Sequence, residues 1–253
     1  MNKTVNNFVF DVDGTLTPSR QQIDKDFKNW FKDFCISNPV YLISGSDRPK
    51  TIEQVGEDLY NRCKRVYNCA GNDVWEKDKN IHTNDWILPD NAYRWLDQKL
   101  TESKFPLRTG NHFETRPGLL NFSVVGRNAT MGERKLYVEF DQKENERNNI
   151  TFEFNKLFKD EEYRDNSQQS RILGITATAG GETGIDIYPT GKDKSQIIQD
   201  FGENDKIYFF GDRMDEDGND YTLAQKVHFA RSVTGWQQTK ECLCYLQEAG
   251  IAR

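Results

Sequence analysis

Residues 8–17 read Phe8-Val9-Phe10-Asp11-Val12-Asp13-Gly14-Thr15-Leu16-Thr17. The apolar run 8–10 predicts a buried strand that ends at a turn signal. Two carboxylates follow at i and i+2, so both can face one site from the strand end. One suits a nucleophile and the other a general acid/base. Together they form a hard, oxygen-rich seat for Mg2+. Gly14 lets backbone N–H groups approach an anion, and two hydroxyls lie just behind. A bare Asp-x-Asp is also an ordinary turn; the apolar strand before it and the Gly-Thr-Leu-Thr after it raise its weight.

Working outward, Ile23, Phe27, Trp30, Phe31 and Phe34 recur at helical spacing and predict a core-facing helix. Val40-Tyr41-Leu42-Ile43 reads as a second buried strand, with Ser44-Gly45-Ser46-Asp47 at its end. There Ser46 and the glycine turn can donate to a phosphoryl oxygen. Arg65-Val66-Tyr67 predicts a third strand before the polar turn Ala70-Gly71-Asn72-Asp73. Beyond residue 83 the pattern changes. A helix is expected from Asp90, strand-like sequence over 105–125, and a helix capped by Thr130-Met131-Gly132-Glu133 with Arg134 in its first turn. Two strands about Gly180-Gly181 are expected over 173–188. Lys194 then precedes a helix containing Ile197 and Ile198. The apolar strand 206–210 leads into Gly211-Asp212, with Asp220 after it. A last short strand near His228 and a closing helix near the C-terminus complete the pattern.

The fold class expected is α/β: a doubly wound, Rossmann-like core (1–83 and 188–253) carrying an inserted α+β domain (84–187). Strand ends of such a sheet converge on one crevice, which brings Asp212 and Asp220 to Asp11 and Asp13. Crowded acids raise one another's pKa, and a divalent cation with Lys194 answers that crowding. Asp215, Asp217 and Asn219 open like a Ca2+ loop. Asp220 stands where that loop needs glycine and Lys226 where it needs its distal glutamate, so the Ca2+ reading fails.

The net charge is −6 and no basic run is present, which argues against nucleic acid. No apolar stretch is long enough for a membrane span, and the N-terminus lacks a signal-peptide pattern. The five cysteines show no ligand spacing and read as reduced thiols of a cytoplasmic protein.

The order of strand-DxD, strand-Ser-Gly-Ser, Lys before a helix, and strand-Gly-Asp-x(7)-Asp resembles the haloacid dehalogenase (HAD) superfamily. Blocks FDVDGTLTPSRQ, RPGLLNFSVVGRNATMGER, FDQKENERNNI, GGETGIDIYPTGKDK and IYFFGDRMDEDGND are similar to the eukaryotic-type phosphomannomutase family, whose inserted domain is a type IIB cap. That resemblance implies Asp11 as nucleophile, Asp13 as acid/base and Lys194 as the charge-neutralising lysine. It implies Mg2+ held by Asp11, Asp13 through its main-chain carbonyl, Asp212 and Asp220. Arg20, Arg116, Asn121, Arg127, Arg134 and Asp186 fall on its substrate-binding positions. Gly184 stands where the family usually has serine, and Ala70-Gly71-Asn72 where it reads Glu-Asn-Gly. The activity implied is interconversion of mannose 6-phosphate and mannose 1-phosphate, with a hexose 1,6-bisphosphate activator, in a homodimer formed through the cap and supplying activated mannose. Three arginines in one short segment favour a mutase, because a bisphosphate needs a second anion site. A Mg2+-dependent sugar-phosphate phosphatase using the same acids is the alternative, and a non-enzymatic sugar-phosphate binder a third.

Overall fold

The computed structural model describes residues 4–164, 171–216 and 218–253; Asp217 of the rejected Ca2+ loop lies outside them. The chain begins with β1 (Asn6–Asp11), α1 (Lys25–Ser37), β2 (Val40–Ile43), α2 (Arg48–Val55), α3 (Glu57–Tyr60) and β3 (Arg65–Asn68). Asp24 caps α1 by accepting from the N–H groups of Asp26 and Phe27, satisfying donors the first turn leaves free. Phe27, Phe31 and Phe34 form the buried stripe of α1, each burial contributing about 1.5–3 kcal/mol. Phe10 meets Phe31 edge-on and stacks on Phe210, joining helix and sheet in one aromatic core. A hairpin of β4 (Asp73–Glu76) and β5 (Lys79–Thr83) follows.

Next come α4 (Asp90–Glu102), β6 (Phe113–Arg116), β7 (Leu119–Phe122), α5 (Met131–Glu144) and α6 (Glu146–Phe158). The expected capping box of α5 is present: Thr130 Oγ1 accepts from the Glu133 N–H and Glu133 accepts from the Thr130 N–H. Strands β8 (Glu162–Arg164), β9 (Arg171–Leu173), β10 (Ile175–Gly180) and β11 (Gly184–Pro189) lead to β12 (Lys206–Gly211), α7 (Tyr221–Ala224), β13 (Phe229–Ser232) and α8 (Trp236–Glu248).

Two compact units result, 1–83 with 193–253, and 84–192. In the first, β13-β12-β1-β2-β3 run parallel, and β4-β5 extend the sheet as an antiparallel edge. In the second, β10-β11-β7-β6 form an antiparallel sheet. Leu120, Phe122, Ile185 and Ile187 occupy its apolar face, packed with Leu96 and Phe154 from the helices. Strand β11 runs to Pro189, and the second compact unit runs to Lys192. Residues 194–200, expected as a helix, form a 3-10 turn, with Phe201 N–H returning to Ile198 C=O at 3.1 Å.

Candidate active site

In the first unit β1 and β12 pair in register, Phe10 opposite Phe210, so both chains leave the sheet side by side. That brings Asp11 together with Asp212 and Asp220; one carboxylate oxygen from each lies within 4.8 Å of the others. Lys194, 1% exposed, is inserted among them. Its Nζ donates to Asp11 Oδ1 at 2.5 Å and to Asp220 Oδ1 at 2.7 Å. The Arg213 N–H occupies the other Asp220 oxygen at 3.1 Å. Two glycines make the crowding possible. A Cβ on Gly14, whose φ is +77°, would lie 2.3 Å from Asp212 Oδ2, and one on Gly211 2.4 Å from Asp220 Oδ2.

Burial raises the Asp11 carboxyl well above its ordinary value; Lys194 opposes this, and Asp220 and Asp212 add to it. Burial, then Asp220, pushes Asp212 up to about 6. Burial alone would lower Lys194, but Asp11 and Asp220 override it and hold the ammonium above its usual range. Three carboxylates against one ammonium leave negative charge uncompensated, and every donor in the group is oxygen. That donor set fits a hard divalent cation such as Mg2+.

The Asp13 carboxylate stands outside this group. Its Oδ1 accepts from the Arg20 N–H at 2.6 Å and from Gln54 Nε2 at 2.8 Å. Arg20 is thus tied to Asp13 through its backbone, at φ +57°. Gln54 is 3% exposed, also donates to Thr17 Oγ1 at 3.3 Å, and keeps its own Oε1 buried without a partner. Sequence reasoning passed over it because 41 positions separate it from Asp13. The strand end before α2 buries Ser46, whose N–H donates to Ser44 Oγ at 3.0 Å, and Asp47 caps α2.

The other expected site residues lie in the second unit: Arg116, Asn121 and Asp186 on the sheet face opposite its apolar core, Arg127 in the loop after β7 and Arg134 in α5. Glu114 of β6 pairs across to Asn121 of β7, which pairs to Asp186 of β11. Period-two alternation therefore lines up Glu114, Asn121 and Asp186, with Arg116 on the same face as Glu114. Asn121 Nδ2 donates to Asp186 Oδ1 at 2.7 Å. Glu114 Oε2 accepts from Arg127 Nε at 2.8 Å and pairs with Arg116 Nη2. Arg134 Nη1 donates to Thr183 Oγ1 and Nη2 to Glu182 Oε2, each at 3.0 Å. Burial lowers the Arg127 guanidinium, as does Arg116 beside it, against the pull of Glu114 and Asp186. Arg134 Nε and Asn121 Oδ1 are buried without partners.

Gly184 has a steric reason: a Cβ there would lie 2.5 Å from Asn121 Nδ2. Its neighbour Thr183 carries a hydroxyl that is buried and bonded to Arg134. Sequence reasoning named neither Glu114 nor Thr183. Glu114 had a readable signal, since it precedes Arg116 by two residues on one strand.

A family model described as eukaryotic phosphomannomutase matches residues 27–248. The phosphomannomutase of Saccharomyces cerevisiae is 28% identical over 223 residues, covering 85% of this chain and 83% of that protein. That of Arabidopsis thaliana is 28% identical over 222 residues, covering 85% of each. Among solved structures, N-terminally truncated, IMP-bound Plasmodium falciparum IMP-nucleotidase is similar with a TM-score of 0.57 and 13% identity, over 98% of this chain and 69% of that one. The C-terminal domain of the C. albicans trehalose-6-phosphate phosphatase gives 0.55 and 18%, over 88% and 73%. These two likenesses show the fold alone. Because the family match runs from α1 to the last turn of α8, the chain belongs to the eukaryotic phosphomannomutase family.

Proposed function

We propose that this protein interconverts mannose 6-phosphate and mannose 1-phosphate, with Asp11 as the residue that carries the phosphoryl group. The observation that supports this best is the presence of two distinct charged side-chain groups suited to phosphate. One is the Asp11–Lys194 cluster of the first unit; the other is the arginine cluster about the sheet of the second. A hydrolase needs one anion site, whereas a hexose bisphosphate must be held by the phosphate that is not reacting.

On this reading a hexose 1,6-bisphosphate activator first loads Asp11, whose carboxylate oxygen attacks phosphorus as the sugar oxygen leaves and takes a proton from Asp13. Asp13, oriented by Gln54 and the Arg20 N–H, takes the proton from the hexose hydroxyl that attacks the aspartyl phosphate. The resulting bisphosphate turns round, and Asp11 receives the other phosphoryl group. Lys194 orients Asp11 and faces the charge that builds on the transferring oxygens, where electrostatics and positioning dominate. Mg2+ held by Asp11, Asp212, Asp220 and the Asp13 carbonyl would supply Lewis-acid stabilisation of that same charge. Arg20 and Ser46 in the first unit would hold the substrate near Asp11. Arg116, Asn121, Arg127, Arg134 and Asp186 would grip the sugar phosphate in the second, where Gly184 makes room for Asn121. The second unit is read as the cap. Exposed Met131, Leu136, Phe152 and Leu157 on its helices support a homodimer through it, and five free thiols support a cytoplasmic setting.

The test is incubation of mannose 1-phosphate with magnesium and hexose 1,6-bisphosphate. Mannose 6-phosphate is expected, and Asp11→Asn should abolish both product and labelling of the protein from bisphosphate. Release of inorganic phosphate with no mannose 6-phosphate would replace this reading with the phosphatase.

A further inference from the structure

Among the described residues the charges about the second unit's sheet face balance. Glu114 pairs with Arg116 and Arg127 and Glu182 with Arg134, Asp186 acts on Arg127 through space, and the nearby Arg147 is matched by Asp141. A phosphate dianion gains little from a neutral cluster, so one carboxylate has to yield to it. Asp186, Glu114 and Glu182 differ in how firmly they are held. Asp186 is 7% exposed and bonded by Asn121. Glu114 bridges two arginines. Glu182 has a side chain 42% exposed, stands in the β10–β11 turn beside Gly181, and meets Arg134 through Nη2. Arg134 does not depend on it for position. The Thr183 hydroxyl holds Nη1, and Thr183 is itself fixed by Ser123 Oγ donating to its carbonyl at 3.0 Å.

We propose that Glu182 is a specificity-determining residue: its carboxylate is a resident counter-anion on Arg134 that an incoming phosphate monoester displaces. This rests on the reading that this face binds a sugar phosphate. A dianionic phosphate offers two charges and several acceptor oxygens for the one charge it replaces. A singly charged ligand exchanges like for like. Glu182 therefore weakens binding in general and favours doubly charged ligands over singly charged ones.

Glu182→Gln keeps the size and an acceptor oxygen but removes the charge. The KM for mannose 1-phosphate should fall about two- to five-fold, the size of a partly exposed ion pair, without a matching rise in kcat. Calorimetric titration of the full chain with inorganic phosphate should show the same tightening, and the gain should vanish in an Arg134→Ala background. The titration needs no turnover. Should mutase activity be absent while phosphate still binds more tightly to Glu182→Gln, the mutase reading fails and this one stands. Unchanged or weaker phosphate binding in Glu182→Gln, with mutase activity intact, overturns the counter-anion role.

Discussion

The two units treat charge in opposite ways. The first concentrates three buried or half-buried carboxylates about one buried ammonium and is left with excess negative charge. The second pairs its guanidiniums with carboxylates of its own sheet and turn. The contrast follows from what each has to meet. On the proposed reading, a site that takes a cation would be assembled with too many anions, and a site that receives an anion would keep a replaceable one in place. Backbone geometry differs in the same sense. The first group sits where parallel strands end and loops begin; in the second, antiparallel register aligns Glu114, Asn121 and Asp186, and a loop, a turn and α5 bring in Arg127, Glu182 and Arg134.

The largest expected effect comes from removing the ammonium. Lys194→Met leaves Asp11 and Asp220 buried without their partner, a change that costs about 3–5 kcal/mol of folding stability. Urea unfolding in the absence of magnesium measures it, and added magnesium should recover part of the loss by binding only the folded state. An unchanged midpoint would show that the first unit does not rely on this lysine to hold its carboxylates.

Gln54→Leu sharpens the contrast within the first unit. It deletes one of the donors on Asp13 Oδ1 and leaves the Asp11 cluster alone. Turnover should drop about tenfold at nearly constant KM, as expected when a proton-transfer group loses its orientation. A change in KM alone would assign Gln54 to binding instead.

The smallest effect belongs to the second unit. In Gly184→Ala the new methyl must push the Asn121 amide away from Asp186. We expect KM for the hexose phosphate to rise about threefold, the value of one weakened hydrogen bond, with labelling of Asp11 from a small activated phosphate unaffected. Impaired labelling would mean that the second unit contributes to the transfer step, and the separation of roles drawn above would break.

Much of the first unit was legible in the chain. An apolar run, an Asp-x-Asp and a glycine are neighbours in sequence and in space, so β1, β2, β3 and β12 and their loops followed from local pattern. The β4–β5 hairpin did not. Val74 and Trp75 are interrupted by a bulge and β5 is exposed throughout, so no alternation marks it. α2, α3 and α6 were also passed over. In the second unit Arg116, Asn121, Arg127, Arg134 and Asp186 were named from family likeness, while the carboxylates that hold the arginines were not.

What the amino-acid order determined by itself was the chemistry on offer. It set which acids, lysine and arginines exist, which stand at strand ends, and which glycines leave space behind them. Only the folded structure decided the pairings. Lys194 meets Asp11 across 183 positions and Asn121 meets Asp186 across 65. Contacts of that kind depend on strand register and side-chain burial, which arise from packing the whole unit and carry no mark in any short window of sequence.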